Sequence, residues 1–252
     1  MKLAALYDIH GNLPALNALL EELKKVQPDL IVVGGDIVSG PLPGQTLERL
    51  SQLGDQVRCI RGNRDREVVM AFDGQPLGPD MPEEMREVAH WVAGQLTGSQ
   101  RDFLAALPEH LVLQVEDLGD ILFCHATPRS DEEFFTPITP EERLSTMFSG
   151  VKQGIVVCGH THMQFERCVD TLRILNAGSV GMPYADQPGA YWLLLSPAGY
   201  QFRRTTYNGE AAAQAVRESG YPLAQEFAEG ATAAEATEIF EHMAEEHWLQ
   251  GR

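Results

Sequence analysis

The stretch Leu3-Ala4-Ala5-Leu6-Tyr7-Asp8-Ile9-His10-Gly11-Asn12 decides the reading of this chain. An apolar run passes directly into a turn that carries an Asp and a His two positions apart. The run predicts a buried strand, and apolar residues at helical spacing over 13–25 predict a helix after it. A second buried strand is expected over 30–33, a loop at Pro41 and Pro43, a helix over 46–53 and a strand over 57–61. The order βαβαβ implies a parallel sheet covered by helices.

Outward from this unit, residues 66–107 read as helical and polar, broken by Asp73-Gly74-Gln75-Pro76-Leu77-Gly78-Pro79-Asp80. They predict a helical insertion or cap beside or over the sheet. Strands resume over 111–115, 121–124, 155–158, 165–169, 173–175, 191–195 and 201–207. Short turns at Asp117-Leu118-Gly119-Asp120 and Pro197-Ala198-Gly199 favour antiparallel hairpins in this second half. The expected fold class is α/β (α+β), with two packed mixed β-sheets flanked by helices. Residues 1–207 form the main domain and 208–252 a C-terminal helical extension, with helices over 209–219 and 233–250. Ala236, Ile239, Phe240, Met243 and His247 recur at helical spacing, so the last helix is expected to pack on its own domain or on a dimer mate.

Composition narrows the function classes. A chain of 252 residues with 44% hydrophobic and 22% charged residues can bury a core without disulfide or metal staples. A net charge of -17 argues against a nucleic-acid polymer as partner, since such a footprint needs clustered Lys and Arg. Small substrates fit better. No apolar run approaches the roughly 18 residues of a membrane span, so no membrane partner is expected. The start of the chain lacks the apolar segment of a signal peptide. Cys59, Cys124, Cys158 and Cys168 stand singly and read as buried free thiols in a reducing cytoplasm. His90, His110, His242 and His247 fall in expected helices or helix ends without matched partners.

The chemistry sits in turns that follow strands: Asp8-Ile9-His10-Gly11-Asn12, Gly34-Gly35-Asp36, Gly62-Asn63-Arg64-Asp65 and Gly159-His160-Thr161-His162. A fifth segment, Phe123-Cys124-His125-Ala126-Thr127-Pro128, ends another strand in a His. Ligands of α/β sheets gather outside the carboxyl ends of the strands, so these segments should converge in space. Each motif alone is common in structural turns. All five in this order, each at an expected strand end, are far harder to produce by accident.

Together these residues resemble the calcineurin-like metallophosphoesterase superfamily, whose motifs read Asp-x-His, Gly-Asp, Gly-Asn-His-Asp/Glu, His and Gly-His-x-His. The likeness spans roughly residues 1–207. His125-Ala126-Thr127-Pro128 and Asn176-Ala177-Gly178-Ser179-Val180-Gly181 make it similar to the compact prokaryotic phosphodiesterase branch, some of whose members hydrolyse dinucleoside polyphosphates. The resemblance implies a metallophosphoesterase-like sandwich. It implies that Asp8, His10 and His162 bind one metal ion, that Asn63, His125 and His160 bind a second, and that Asp36 bridges them. Imidazole, carboxylate and amide oxygen together suit Mn, Fe, Co, Ni or Zn. Two such ions polarise a phosphate and activate a shared water for in-line attack. The implied activity is hydrolysis of small phosphodiesters or phosphoanhydrides.

The chain departs from the family where Arg64 replaces His in the Gly-Asn-His-Asp motif. Arginine stays charged and transfers no proton near neutral pH, but it can hold a phosphoryl oxygen. Arg64 and its neighbour Asp65 are therefore the expected catalytic pair. Asn12 suits either the forming of its turn or a phosphate contact, and Arg129, close after His125, is a candidate substrate anchor. Two rivals stand beside this reading. One is a scaffold with the same fold and no turnover, which would lose ligands that this chain keeps. The other is a protein phosphatase, for which no docking region is recognisable.

Overall fold

The computed structural model describes residues 1–229 and 232–250. Strands β1 (Leu3–Leu6), β2 (Leu30–Val33) and β3 (Val57–Cys59) pair in parallel, with Leu3 opposite Leu30 and Ile31 opposite Val57. Helices α1 (Leu13–Val26) and α2 (Pro43–Ser51) are the crossovers between them. Helix α2 begins three residues before its expected start because Pro43 occupies its first turn, where a missing N–H costs nothing. The hairpin of β9 (Ala190–Ser196) and β10 (Gly199–Thr205) extends the other edge, with β9 antiparallel to β1. The result is a five-stranded mixed sheet in the order β10-β9-β1-β2-β3.

The second five-stranded sheet has the order β4-β5-β6-β8-β7. Strands β4 (His110–Val115) and β5 (Gly119–Cys124) form one hairpin, and β7 (Gln164–Val169) and β8 (Leu172–Ala177) another. Between them β5, β6 (Ile155–Cys158) and β8 run parallel, so the hairpins favoured by the short turns flank a parallel centre and the sheet is mixed, as expected. The chain between β5 and β6, which carries α6 (Glu141–Met147), is long enough to return to the starting end of the sheet. Hairpins form only where the link is a few residues.

The two-residue period of the strands explains the buried runs. Leu3, Ala5 and Tyr7 face Phe123, Val157 and Leu175 in the core between the sheets. Ala4, Leu6, Ile31 and Val33 face outward onto Leu16, Leu19 and Leu23 of α1. Strands β1 and β2 are thus apolar on both faces. The outer side of the second sheet packs Leu122, Val156 and Ile174 under Phe135, Leu144 and Ala236.

Helices α3 (Asn63–Phe72), α4 (Glu83–Gly94) and α5 (Gly98–Ala105) join the outer core of the first sheet through Val68, Val88, Val92 and Leu104. The chain ends in α7 (Gly209–Glu218), α8 (Ala224–Glu229) and α9 (Ala233–Gln250). The buried stripe of α9 is Ala236 and Ala244 with half-buried Phe240 between them, whereas Ile239 is 57% exposed. The expected stripe is thus rotated by part of a turn, and the side chain of His247 lies outside the described residues. His110 opens a strand rather than a helix. Cys168 is exposed and Cys59 half-buried, while Cys124 and Cys158 are buried as expected, and all four are free. Among the described residues no helix is long and apolar enough to cross a membrane.

Candidate metal centre

Both sheets deliver their functional residues at the carboxyl ends of strands. Asp8 and His10 follow β1, Asp36 follows β2, Asn63 opens α3 after β3, His125 follows β5, and His160 and His162 follow β6. Five of these positions adopt a left-handed backbone: Asp8 (φ 53°), His10 (φ 47°), Asp36 (φ 50°), His160 (φ 69°) and His162 (φ 58°). For a side chain with a Cβ this costs of order 1–3 kcal/mol each and persists only where surroundings enforce it. Backbone bonds supply the enforcement, among them Asp8 N to Gly35 O (3.2 Å), His10 N to Asp36 O (2.9 Å) and Gly181 N to Asp8 O (3.0 Å). The sharp reversals let residues two apart aim at one centre.

The side chains converge into two groups that share a carboxylate. Asp8, His10, Asp36 and His162 form one and Asp36, His125 and His160 the other, with potential ligand atoms within 4.8 Å of one another in each. Asp36 Oδ2 lies 3.6 Å from His10 Nε2 and 3.5 Å from His125 Nε2. Asn63 Oδ1 lies 3.2 Å from His125 Nε2, which adds an amide oxygen to the second group.

Three observations fit divalent ions. Nδ1 of His10, His125 and His162 meets the carbonyl of Ser39, Gly34 and Met182 at 2.9, 2.9 and 2.8 Å, and His160 Nε2 meets that of Glu132 at 3.3 Å. A carbonyl only accepts, so each contacting nitrogen donates and the other ring nitrogen faces the centre, as in metal sites. His10 Nε2 and His162 Nε2 stand 3.0 Å apart, so their lone pairs oppose each other unless a cation lies between. Finally, Asp8 Oδ1 is buried without a hydrogen-bond partner, 3.6 Å from His162 Nε2. Such an orphaned carboxylate oxygen is costly to bury and calls for a counter-charge.

The electrostatics agree. Burial pushes the Asp8 carboxyl well up, against the opposing charge of His125. Burial acts the same way on Asp36, but the charge and hydrogen bond of His125, with His10, outweigh it and hold Asp36 below the usual carboxylate range. Burial lowers His125, yet Asp36 and Asp8 raise it to about 10, whereas burial and the His125 charge bring His160 down to about 3. The carboxylates thus draw one proton onto His125, on the lone pair for which a metal ion would compete.

Other residues shape the centre without reaching its cleft. Asp65 is fully buried, and its Oδ1 accepts from Ile37 N (2.8 Å) and Val38 N (3.3 Å) and its Oδ2 from Gly62 N (3.1 Å). It pins the Asp36 loop to α3, a positioning task rather than the expected catalytic contact. Gly62 and Gly159 allow close approach: a Cβ on either would lie 2.2 Å from Asp36 Oδ1 or 2.4 Å from Asp8 Oδ2. Asn12 takes the turn-forming alternative, since its Oδ1 caps α1 at Ala15 N (3.1 Å) and its Nδ2 donates to Gly181 O (2.8 Å). Arg129 pairs with Glu133 on the surface and is absent from the cleft lining, so it is no substrate anchor in this arrangement.

A cleft of about 730 Å³ opens over the centre, with His10, Asp36, Asn63, His160 and His162 at its base and Arg64 and Arg66 beside them. Arg64 donates to Glu67 Oε2 at 2.8 Å; burial lowers its pKa, but Glu67 and Asp36 raise it further, so it stays a fixed cation. Buried Glu67 also approaches Asn63 Nδ2 at 3.4 Å, which turns the amide oxygen toward His125. Phe134 stacks on His160 (4.6 Å) and Tyr184 on His162 (5.1 Å). Sequence reasoning missed Glu67, Phe134 and Tyr184, because none stands at a strand end. Glu67, three residues after Arg64 on one helix face, carried the one usable clue.

Residues 1–196 match the calcineurin-like phosphoesterase superfamily domain. The chain is 25% identical over 203 residues to phosphodiesterase YfcE of Escherichia coli, covering 77% of this chain and 87% of that protein. It is 30% identical over 129 residues to a symmetrical bis(5'-nucleosyl)-tetraphosphatase of Pectobacterium carotovorum, covering 49% of this chain and 43% of the relative. The crystal structure of a hypothetical protein of Pyrococcus horikoshii OT3 superposes with a TM-score of 0.77 at 20% identity, over 95% of this chain and 97% of that one. The two mixed sheets, the strand-end Asp and His residues and the domain match agree: the chain belongs to the calcineurin-like phosphoesterase superfamily.

Proposed function

We propose that the protein is a binuclear metal-dependent phosphoesterase that hydrolyses small phosphodiesters or phosphoanhydrides. The observation that carries this reading is Asp36 Oδ2, within 3.6 Å of a ring nitrogen from each ligand group. One carboxylate oxygen between two sets of imidazoles is the arrangement a pair of divalent ions needs. In the proposal Asp8, His10 and His162 hold one ion, Asn63, His125 and His160 the other, and Asp36 both. The donors are nitrogen and oxygen, which favours Mn, Fe, Co, Ni or Zn. When bound, such ions polarise the phosphate and make water nucleophilic near neutral pH.

The chain's own residues do the rest. Arg64, held by Glu67 at the cleft base, is the group proposed to grip a phosphoryl oxygen and offset its growing charge. It supplies no proton, so substrates whose leaving group departs as an anion are favoured. The catalytic unit is assigned to residues 1–207, walled by the helices of 66–107 and 208–252. Four unpaired cysteines suit a reducing compartment, and cytoplasmic residence is proposed on that ground. The test is elemental analysis of stripped and manganese-reloaded protein alongside hydrolysis of bis(p-nitrophenyl) phosphate. Two ions per chain and turnover abolished by chelation are expected. A reloaded preparation that never exceeds one ion per chain overturns the binuclear reading.

A further inference from the structure

The cleft lining includes apolar side chains that phosphate chemistry does not explain. Five of the chain's eight methionines, Met70, Met81, Met85, Met182 and Met243, line it. They come from α3, from α4 and the segment leading into it, from the loop after β8 and from α9, so no single helix face accounts for their sharing one cleft. Leu223 and Phe227 pack with Met70, Met81 and Met85 on the outer core of the first sheet and Phe240 on that of the second, so apolar side chains line the cleft from both sides. Methionine is flexible and polarizable, fills irregular space and meets ring edges favourably.

The Phe240 side of this lining is tied to the centre. Phe240 stacks on Phe134 (5.1 Å, 18°) and meets Tyr184 (5.8 Å, 43°), the rings that themselves lie on His160 and His162. Helix α9 is anchored beside them through Glu241, which accepts from Arg143 Nη2 (2.6 Å), Thr136 Oγ1 (2.7 Å) and Thr139 Oγ1 (2.5 Å). Asp80, Glu132 and Glu226 also line the cleft, while its arginines, Arg64 and Arg66, are already paired with Glu67, Asp131 and Glu132. That charge balance repels a further anionic group on the substrate and admits a neutral ring.

We propose that the methionine-lined part of the cleft is a subsite for a neutral, planar aromatic substituent of the phosphate ester bound at the cleft base. The placing of the phosphate rests on the phosphoesterase reading. The test is calorimetric titration of manganese-loaded protein with phenylphosphonate against methylphosphonate, and with adenosine 5'-monophosphate against ribose 5-phosphate. Neither phosphonate can be hydrolysed, so binding is read apart from turnover. The ring-bearing ligand of at least one pair is expected to bind about 10-fold more tightly, and the pair that shows it separates an aryl ester from a nucleobase as the occupant. Met85→Ala with Met243→Ala should collapse that ratio toward about 1, and Phe240→Leu, which keeps the wall apolar, should reduce it less.

Equal binding within both pairs, or a ratio that survives the double substitution, overturns the subsite and leaves the hydrolase reading standing. A tenfold ratio without hydrolysis of any phosphodiester or phosphoanhydride does the reverse. Absence of binding by all four ligands overturns both.

Discussion

Replacing Gly62 by Ala tests whether Asp36 holds its position through close backbone approach. Gly62 caps α3 with φ -95° and ψ 173°, an extended conformation open to any residue, so alanine brings no backbone penalty. What it brings is a Cβ 2.2 Å from Asp36 Oδ1 and 2.4 Å from Asp36 N. Relief to the 3.0 Å at which real Cβ contacts begin requires a shift of about 0.8 Å. Asp36 has little room for it, being pinned by His10 N on its carbonyl (2.9 Å) and Arg64 N on Oδ1 (2.9 Å). A displacement near 1 Å at a reacting centre costs about 100-fold in rate, and overpacking costs about 1–3 kcal/mol, or about 2–12 °C in a chain of this size. Gly62→Ala should therefore bind fewer than two ions, lose about 100-fold in kcat/KM and melt lower. Elemental analysis, kinetics at saturating metal and calorimetry read the three effects. Gly94→Ala, at the end of α4 with nothing within 4 Å of its Cβ, is the control and should leave all three near wild type or slightly improved. A Gly62→Ala protein with two ions and activity within about threefold of wild type would refute the assigned position of Asp36.

Other outcomes follow from the same geometry. Chelation should lower Tm, since ions at about 100 times their Kd stabilise a folded state by about 2.7 kcal/mol, and identical melting curves with and without metal would show that the cluster binds none. Asp65→Asn should destabilise by about 1–3 kcal/mol because one amide group then faces backbone N–H donors, and a melting curve like wild type's would remove its pinning role. Arg64→Ala should lower kcat/KM for alkyl and aryl diesters alike, while Arg64→His, with a transferable proton, should narrow the gap between them. If Arg64→Ala changes neither kcat nor KM, the guanidinium does not meet substrate.

The proposed metal ligands were legible because each belongs to a local pattern. An apolar strand must end in a turn, and in a sheet with helices on its face that turn lies at the carboxyl end, where side chains of several strands meet. Asp8, Asp36, Asn63, His125 and His160 needed no knowledge of distant contacts to be singled out. Arg64 was legible as a departure, whereas its tether Glu67 stands inside a helix, away from any strand end.

The cleft wall was illegible for the opposite reason. Met243, Ile239 and Phe240 at helical spacing look like an ordinary buried stripe, yet Ala236 and Ala244 are buried while Met243 turns to the cleft. The rotation of α9 is decided by contacts such as Glu241 with Arg143, 98 positions away, and Phe240 with Phe134. Nor did residue type announce the left-handed backbone at Asp8, His10, Asp36, His160 and His162, which surrounding hydrogen bonds impose. The sequence by itself determined which candidate metal-ligating side chains stand at which strand ends, because periodicity and turns are local. Only the tertiary structure decided how those ends close on a shared carboxylate and what faces them across the cleft, because both depend on packing between segments far apart in the chain.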